Sequence, residues 1–170
     1  MTGERKLVLA LGSNIGDRAA NLQEAVDALF DAPGLEAVAV SPVYETAPVG
    51  GEPQDDYLNA VVVCRTGLPA EILLDRARNV EDAMGRTRER RWGPRVIDVD
   101  IVVLGSETWD TPELTVPHPR AHERAFVLQP WSDVDPEAEI PGFGPLDKLL
   151  NDVREQRLRR RDDVVIRVPD

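Results

Sequence analysis

An α+β sandwich is the fold class this sequence predicts, and three observations predict it. Short apolar runs at residues 6–11, 57–65 and 96–104 have the length and Val/Ile/Leu content of buried strands. Two intervening segments space apolar residues at helical intervals, Leu22, Val26, Leu29 and Phe30 in one and Leu73, Ala77, Val80 and Met84 in the other. A loosely alternating run at 36–46 supplies one more strand, so the order is βαββαβ. Such an order puts both helices on one face of a sheet, in the ferredoxin-like manner, and leaves the other face open.

Each element has a local reason. KLVLAL (6–11) reads as a buried strand closed by a turn at Gly12, Ser13 and Asn14. Asn14 or Asp17 can cap the first helix, because a short side-chain oxygen accepts the unpaired amide hydrogens of the first turn; the helix stops near Pro33 and Gly34. The second strand runs over 36–46 and gives way to a Pro/Gly-containing loop from 47 to about 55. The third, 57–65, sets Tyr57, Asn59, Val61 and Val63 on one face and Leu58, Ala60, Val62 and Cys64 on the other. Pro69 sits where a first helical turn tolerates it, and the second helix ends at Gly85. In the fourth strand, 96–104, Ile97, Val99, Ile101 and Val103 share the core face and Asp98 and Asp100 the other. Beyond 105 the sequence predicts Pro-rich connections, a helix around 120–131, a weaker helix around 146–160 and a terminal strand-like DVVIRV. The 170 residues suit a single domain, with a core at about 6–142 and a C-terminal extension at about 143–170.

Composition narrows the function classes. Hydrophobic residues at 42% and charged residues at 30% describe a folding, globular chain. No apolar run approaches the roughly 18 residues of a membrane span, and no secretory leader is evident, so the expectation is a cytoplasmic protein without a membrane partner. Cys64, the lone cysteine, excludes an intramolecular disulfide framework and a multi-Cys zinc site. A net charge of −11 disfavours nucleic acid as the main partner. Locally the sign reverses: Arg86, Arg88, Arg90, Arg91 and Arg95 are opposed only by Glu89, and can dock a small polyanion.

Asp98 and Asp100 carry the chemistry. Two carboxylates about 7 Å apart on one strand face repel each other unless a cation lies between them, and oxygen-only ligands suit Mg²⁺ completed by water and phosphate. The flanking Val and Ile residues argue for a central strand, against the alternative of a solvated edge strand. The upstream GRTRERRWGPR adds planar donors for phosphate oxygens. No G-x-x-x-x-G-K-[ST] loop is present, so a P-loop does not hold the phosphates. His118 and His122 are four apart but have no third soft ligand for zinc; His118, between two prolines, is placed to bond a phosphate or cap the following helix. On sequence alone Tyr57 and Phe126 are as readily ordinary core aromatics as anything else. The arginines at 154, 157, 159, 160 and 161 read as a solvated helix end. Two alternatives are another two-metal nucleotidyl or phosphoryl-transfer enzyme, which also needs paired acids, and a non-catalytic module binding RNA or a nucleotide, whose sheet would instead carry exposed stacking aromatics and a basic field.

Six segments resemble the 6-hydroxymethyl-7,8-dihydropterin pyrophosphokinases: LALGSNIGDR (9–18), SPVYETAPVGG (41–51), DYLNAVV (56–62), MGRTRERRWGPRVIDVDIVV (84–103), LTVPHPRAHERAFVLQPW (114–131) and DPEAEIPG (135–142). They span about three quarters of the chain in the family's order. The resemblance implies transfer of the pyrophosphoryl group of ATP to the pterin hydroxymethyl, with release of AMP, in folate biosynthesis. By matching position, Asp98 and Asp100 would bind two Mg²⁺ ions, Arg86 and Arg95 would neutralise charge on the transferred group, and His118 would contact the phosphates. The pterin would stack between Tyr57 and Phe126, with Asn59 and the backbone around Thr46 and Val49 reading its edge. Leu74, Ile101 and Thr115 match adenine-side positions; Glu81, Arg88, Trp92 and Arg124 match further substrate contacts. The expected partners are these small molecules alone, and the expected state is a monomer.

Overall fold

The computed structural model describes residues 3–47, 55–85 and 96–169. β1 (Arg5–Ser13) lies in the middle of the main sheet, antiparallel to β4 (Tyr57–Thr66) on one side and to β5 (Asp98–Leu104) on the other. The far edge of β4 is shared by β2 (Leu35–Val40) and β3 (Tyr44–Thr46), and β10 (Arg159–Arg160) adds to β3. Two small ribbons lie outside this sheet: β6 (Trp109–Asp110) with β7 (Thr115–Val116), and β8 (Glu139–Ile140) with β9 (Gly144–Pro145).

One face of the sheet carries α1 (Arg18–Phe30) and α2 (Ala70–Met84). A helix of 13 residues such as α1 is marginal alone, so its order comes from burial of Leu22, Ala25, Val26 and Leu29 against Leu7, Leu9, Leu58 and Val62. Each buried leucine or valine contributes about 1.5–3 kcal/mol relative to exposure. Asp17, rather than Asn14, caps α1 by accepting the Ala20 N–H at 3.1 Å. α1 ends at Phe30, ahead of Pro33 and Gly34. α2 follows Pro69 and ends at Gly85, where a Cβ would come within 2.9 Å of the Glu81 carbonyl oxygen.

The opposite face is covered, not open. α3 (Ala125–Val134) and α4 (Leu146–Asp152) pack Ala125, Leu128, Trp131, Leu146 and Leu149 onto Val8, Val61, Val63, Val102 and Val103. The reason lies in β4, whose Val61 and Val63 point away from the first core and need cover of their own.

β1 continues through Gly12 and Ser13, so the turn begins later than the glycine suggests. The run at 36–46 divides into β2 and β3, because Pro42 offers no amide hydrogen and the Ser41 hydroxyl takes the Val61 N–H at 2.8 Å in place of a regular ladder. β5 is the edge strand of the sheet, where a central strand was expected. Its apolar character reflects the cores on both faces, and its outer edge is occupied: the Val102 carbonyl accepts the His118 N–H at 2.9 Å, and Glu81 Oε2 accepts the Val99 N–H at 2.9 Å. The register slips between Val8 and Leu9, so Val102 is an extra residue; Val103 therefore faces α3 instead of sharing the Ile101 side.

The region 120–134 is a 3₁₀ turn (Ala121–Glu123) followed by α3, with Pro130 inside the helix. The C-terminal helix is only α4, and Arg159 and Arg160 belong to β10, not to a solvated helix end. Residues 163–168 form no strand; Ile166 is buried in the first core, and Gln23 exchanges two hydrogen bonds with the Arg167 backbone, so the tail is strapped across α1. No helix among the described residues is long and apolar enough to cross a membrane.

Candidate active site

Register alone assembles one row of side chains across the α3-bearing face. Gly12 of β1 pairs with Asn59 on β4 and with Asp98 on β5, and Asn59 pairs in turn with Tyr44 on β3. The next row holds Ala10, paired with Asp100 and with Val61. Directly paired residues share a face, so Asn59, Asp98 and Asp100 stand on one surface, with no β1 side chain between Asn59 and Asp98. At about 4.8 Å per strand, Asn59 and Asp98 are roughly 10 Å apart, about the length of a bicyclic ring with one substituent.

On the β4 side, Thr46, Tyr57 and Asn59 form one group. The Asn59 side-chain amide donates to Thr46 Oγ1 at 2.8 Å, and both residues are buried. Gly12 lets this group lie against β1: a Cβ there would meet Asn59 Oδ1 at 3.2 Å and the Tyr57 ring at 3.3 Å. β3 is fixed on both its faces. On this face the Tyr44 hydroxyl donates to Asp133 of α3, and burial together with that carboxylate pushes the phenol up to about 12. On the other face Glu45 receives Arg18, Arg159 and Arg161. Burial alone would raise the Glu45 carboxyl, but hydrogen bonds from Arg18 and Arg159 outweigh it and hold the carboxyl below its ordinary range.

On the β5 side a cleft of about 300 Å³ follows the outer edge of the sheet. Leu74 and Glu81 of α2, Asp100 and Ile101 of β5, and Thr115 and His118 line it, which brings six of the sequence-predicted residues together. Arg78, Pro112 and Leu114 also line it and were not singled out from the sequence; the Arg78 guanidinium closes one side by donating to the Glu113 carbonyl at 3.1 Å. No spacing signal marks these three, because the turn that carries Pro112 and Leu114 meets Arg78 of α2 only through tertiary packing. Glu81 has a structural duty as well, since its bond to the Val99 N–H ties α2 to β5 beside the acids.

His118 Nδ1 accepts the Arg120 N–H at 3.1 Å just ahead of the 3₁₀ turn, whose first turn has no side-chain cap. Burial, with Arg124 and Arg120 adding to it, pushes its pKa down to about 4. It is therefore neutral at pH 7 with its hydrogen on Nε2, a donor for an anionic oxygen. Arg124 and Phe126 stand at the start of α3, with the guanidinium 5.5 Å from the ring centroid, and Phe126 packs on the second core. His122 stacks on Phe143 at 4.0 Å and does not join His118 as a metal pair. Val49, Arg86, Arg88, Trp92 and Arg95 lie outside the described residues, as do the remaining arginines of that loop, Arg90 and Arg91.

Asp98 and Asp100, both partly exposed, offer oxygen donors on one face beside a cleft. Among the described residues no group of three or more His, Cys, Asp or Glu could enclose a metal. Two carboxylates without a protein cage suit Mg²⁺, which keeps waters and takes substrate phosphates, and do not suit structural zinc.

Residues 8–136 match the family model described as 7,8-dihydro-6-hydroxymethylpterin-pyrophosphokinase (HPPK). The 2-amino-4-hydroxy-6-hydroxymethyldihydropteridine pyrophosphokinase of Bacillus subtilis is 45% identical over 131 residues, 77% of this chain and 78% of its own. The protein of the same name from Mycobacterium leprae is 42% identical over 170 residues, 94% of this chain and 87% of its own. Among solved structures, wild-type Plasmodium falciparum HPPK-DHPS with pteroate superposes with a TM-score of 0.68 at 14% identity, over 89% of this chain and 45% of that one. The chain spans less than half of that solved chain, and the likeness is one of fold.

Proposed function

The chain belongs to the 7,8-dihydro-6-hydroxymethylpterin-pyrophosphokinase family, and we propose that its sheet presents acceptor, acids and ATP in that lateral order, from β3 across to the edge of β5. It is a pyrophosphokinase of folate biosynthesis: it transfers the pyrophosphoryl group of ATP to 6-hydroxymethyl-7,8-dihydropterin, giving the pterin pyrophosphate and AMP. The observation that carries the lateral order is the register Asn59–Gly12–Asp98, with the cleft beyond it.

Thr46, Tyr57 and Asn59 would receive the pterin, with Phe126 from α3 and the backbone near Val49 on its other sides. Asn59 spends one amide hydrogen on Thr46 and keeps its carbonyl oxygen and second hydrogen for the ring's amide-like edge. Leu74, Ile101 and Thr115 would seat the adenine, with Glu81, Arg88, Trp92 and Arg124 completing the contacts to substrate. Asp98 and Asp100 would hold Mg²⁺, two ions by family resemblance. Bound there, Mg²⁺ neutralises phosphate charge and lowers the barrier to attack by the acceptor hydroxyl. His118 donates from Nε2 to a phosphate oxygen without adding charge, while Arg86 and Arg95 offset charge on the transferred group. The protein's part is positioning and electrostatics, because phosphoryl-type transfer asks little covalent chemistry of it.

The same reading takes residues 1–170 as one domain acting as a cytoplasmic monomer on small molecules. The strand order β4–β1–β5, with β2 and β3 along the outer edge of β4 and α1 and α2 on one face, supports a ferredoxin-like core to which α3, α4 and β10 are additions. Product identity tests the reaction: Mg²⁺-ATP and the pterin should give AMP and pterin pyrophosphate in equal amounts. ADP in place of AMP would overturn it.

A further inference from the structure

Beyond residue 136 the chain runs past the segment that matches the family model, yet it returns to the substrate side of the sheet. We propose that Gln156, in that C-terminal segment, is a positioning residue for the pterin end of the site, acting through Arg124 and Phe126; this rests on the assignment of the pterin to the Thr46–Tyr57–Asn59 group.

The start of α3 needs a partner. The first amide hydrogens of any helix lack acceptors within it, and Arg124, the residue before α3, provides no side-chain cap. Gln156 supplies one from 31 positions away: its Oε1 accepts the Ala125 N–H at 2.9 Å, and its Nε2 donates to the Glu123 carbonyl at 2.7 Å. One planar amide thus bridges the residues on either side of Arg124. That residue is the joint between the 3₁₀ turn and α3, in an extended conformation (φ −117°, ψ 106°). The direction of the Arg124 side chain and its placement over Phe126 follow from that joint.

Gln156 is itself anchored at both ends. Its N–H donates to the carbonyl of Val153, which is buried in the second core. A few residues on, β10 pairs with β3, the Arg161 N–H donates to the Val43 carbonyl at 2.8 Å, and Arg159 and Arg161 grip Glu45. The stretch 153–161 therefore touches the two parts that carry pterin-side residues, the Arg124–Phe126 joint and the strand that ends in Thr46. A glutamine fits this duty because it accepts and donates from one rigid group. Glutamate would keep the acceptor for Ala125 but set an anionic oxygen against the Glu123 carbonyl, and leucine would keep neither bond.

The test is steady-state kinetics of the full chain with each substrate varied, alongside amide hydrogen exchange over 123–128. Gln156→Leu should raise the KM for the pterin about tenfold, the size expected when a supporting hydrogen bond is lost, and raise the KM for ATP, which Arg124 also serves, by a smaller factor. Gln156→Glu should fall between wild type and Gln156→Leu, and exchange at Ala125 should quicken in both. Equal changes in both KM values, or an unchanged pterin KM despite faster exchange, would overturn the proposal by reducing Gln156 to a structural cap. If Gln156→Leu fails to fold, Gln156→Glu decides by the same readouts. Asn59→Ala and Phe126→Ala run in parallel: an unchanged pterin KM in both would overturn the pterin assignment itself, whereas a rise in these two without one in the Gln156 variants would overturn only the role of Gln156.

Discussion

Asn59 and Asp98 are cross-strand neighbours of the same glycine, Gly12, and share its face of the sheet. One is buried and bound to Thr46, the other partly exposed beside a cleft. The group proposed to read a neutral ring edge and the group proposed to hold a cation therefore stand two strands apart without a side chain of β1 between them. The spacing matches a substrate whose reactive hydroxymethyl must reach from the first to the second.

Removing either acid should abolish chemistry without unfolding the chain. Asp98→Asn and Asp100→Asn preserve size and leave both hydrophobic cores untouched, so each variant should still unfold cooperatively. AMP formation should fall on the order of 10²–10³-fold or more, because the lost charge acts on the transition state. Near-normal turnover in either variant would refute the assignment.

Gly12→Ala should act on the pterin and spare ATP. The new methyl meets Asn59 Oδ1 at 3.2 Å and the Tyr57 ring at 3.3 Å, so both must shift by a few tenths of an ångström. Overpacking of this kind costs about 1–3 kcal/mol, and the pterin Kd by fluorescence titration should rise roughly tenfold. An ATP analogue should bind as before.

Thr46→Val leaves a buried amide hydrogen of Asn59 without its acceptor, at a cost of about 1–3 kcal/mol. Denaturant unfolding should show that loss, and the pterin KM should rise with it. Thr46→Ser keeps the hydroxyl and should restore both; if it restores neither, the 2.8 Å bond is not the cause.

His118 makes a pH-dependent contribution whose sign is fixed by its environment. In the folded chain it stays neutral down to about pH 4, whereas in the unfolded chain it protonates near 6.5. Between those values the unfolded state holds more protons, so the stability His118 contributes is present above about pH 6.5 and is lost as pH falls toward 4. His118→Asn retains an acceptor for the Arg120 N–H and does not titrate. The stability of wild type relative to this variant should therefore decline from pH 6.5 to 4 and stay flat from 7 to 8.

The helical stripes and the two faces of β4 were legible because they follow from local periodicity: Leu22, Val26 and Leu29 lie in one core, as do Leu58, Ala60, Val62 and Cys64, with Val61 and Val63 in the other. The Asp98–Asp100 pair was legible for the same reason. What escaped depends on partners distant in sequence. The slip that turns Val103 to the other face is a property of the β1–β5 pairing and leaves no mark in VIDVDIVVL. β5 reads as central because cores cover both its faces, although it lies at the sheet's edge. Arg159 and Arg161 look like solvated charge until Glu45, more than 100 residues upstream, is brought beside them.

The most direct measurement is a crystal structure of the full chain with Mg²⁺, a non-hydrolysable ATP analogue and the pterin. The pterin should lie against Thr46, Tyr57 and Asn59, the adenine in the cleft at the β5 edge near Leu74 and Thr115, and Mg²⁺ on Asp98 and Asp100 between them. Asp98 and Asp100 engaged by arginines with no ion beside them, or the pterin lodged in the β5-edge cleft, would contradict that arrangement.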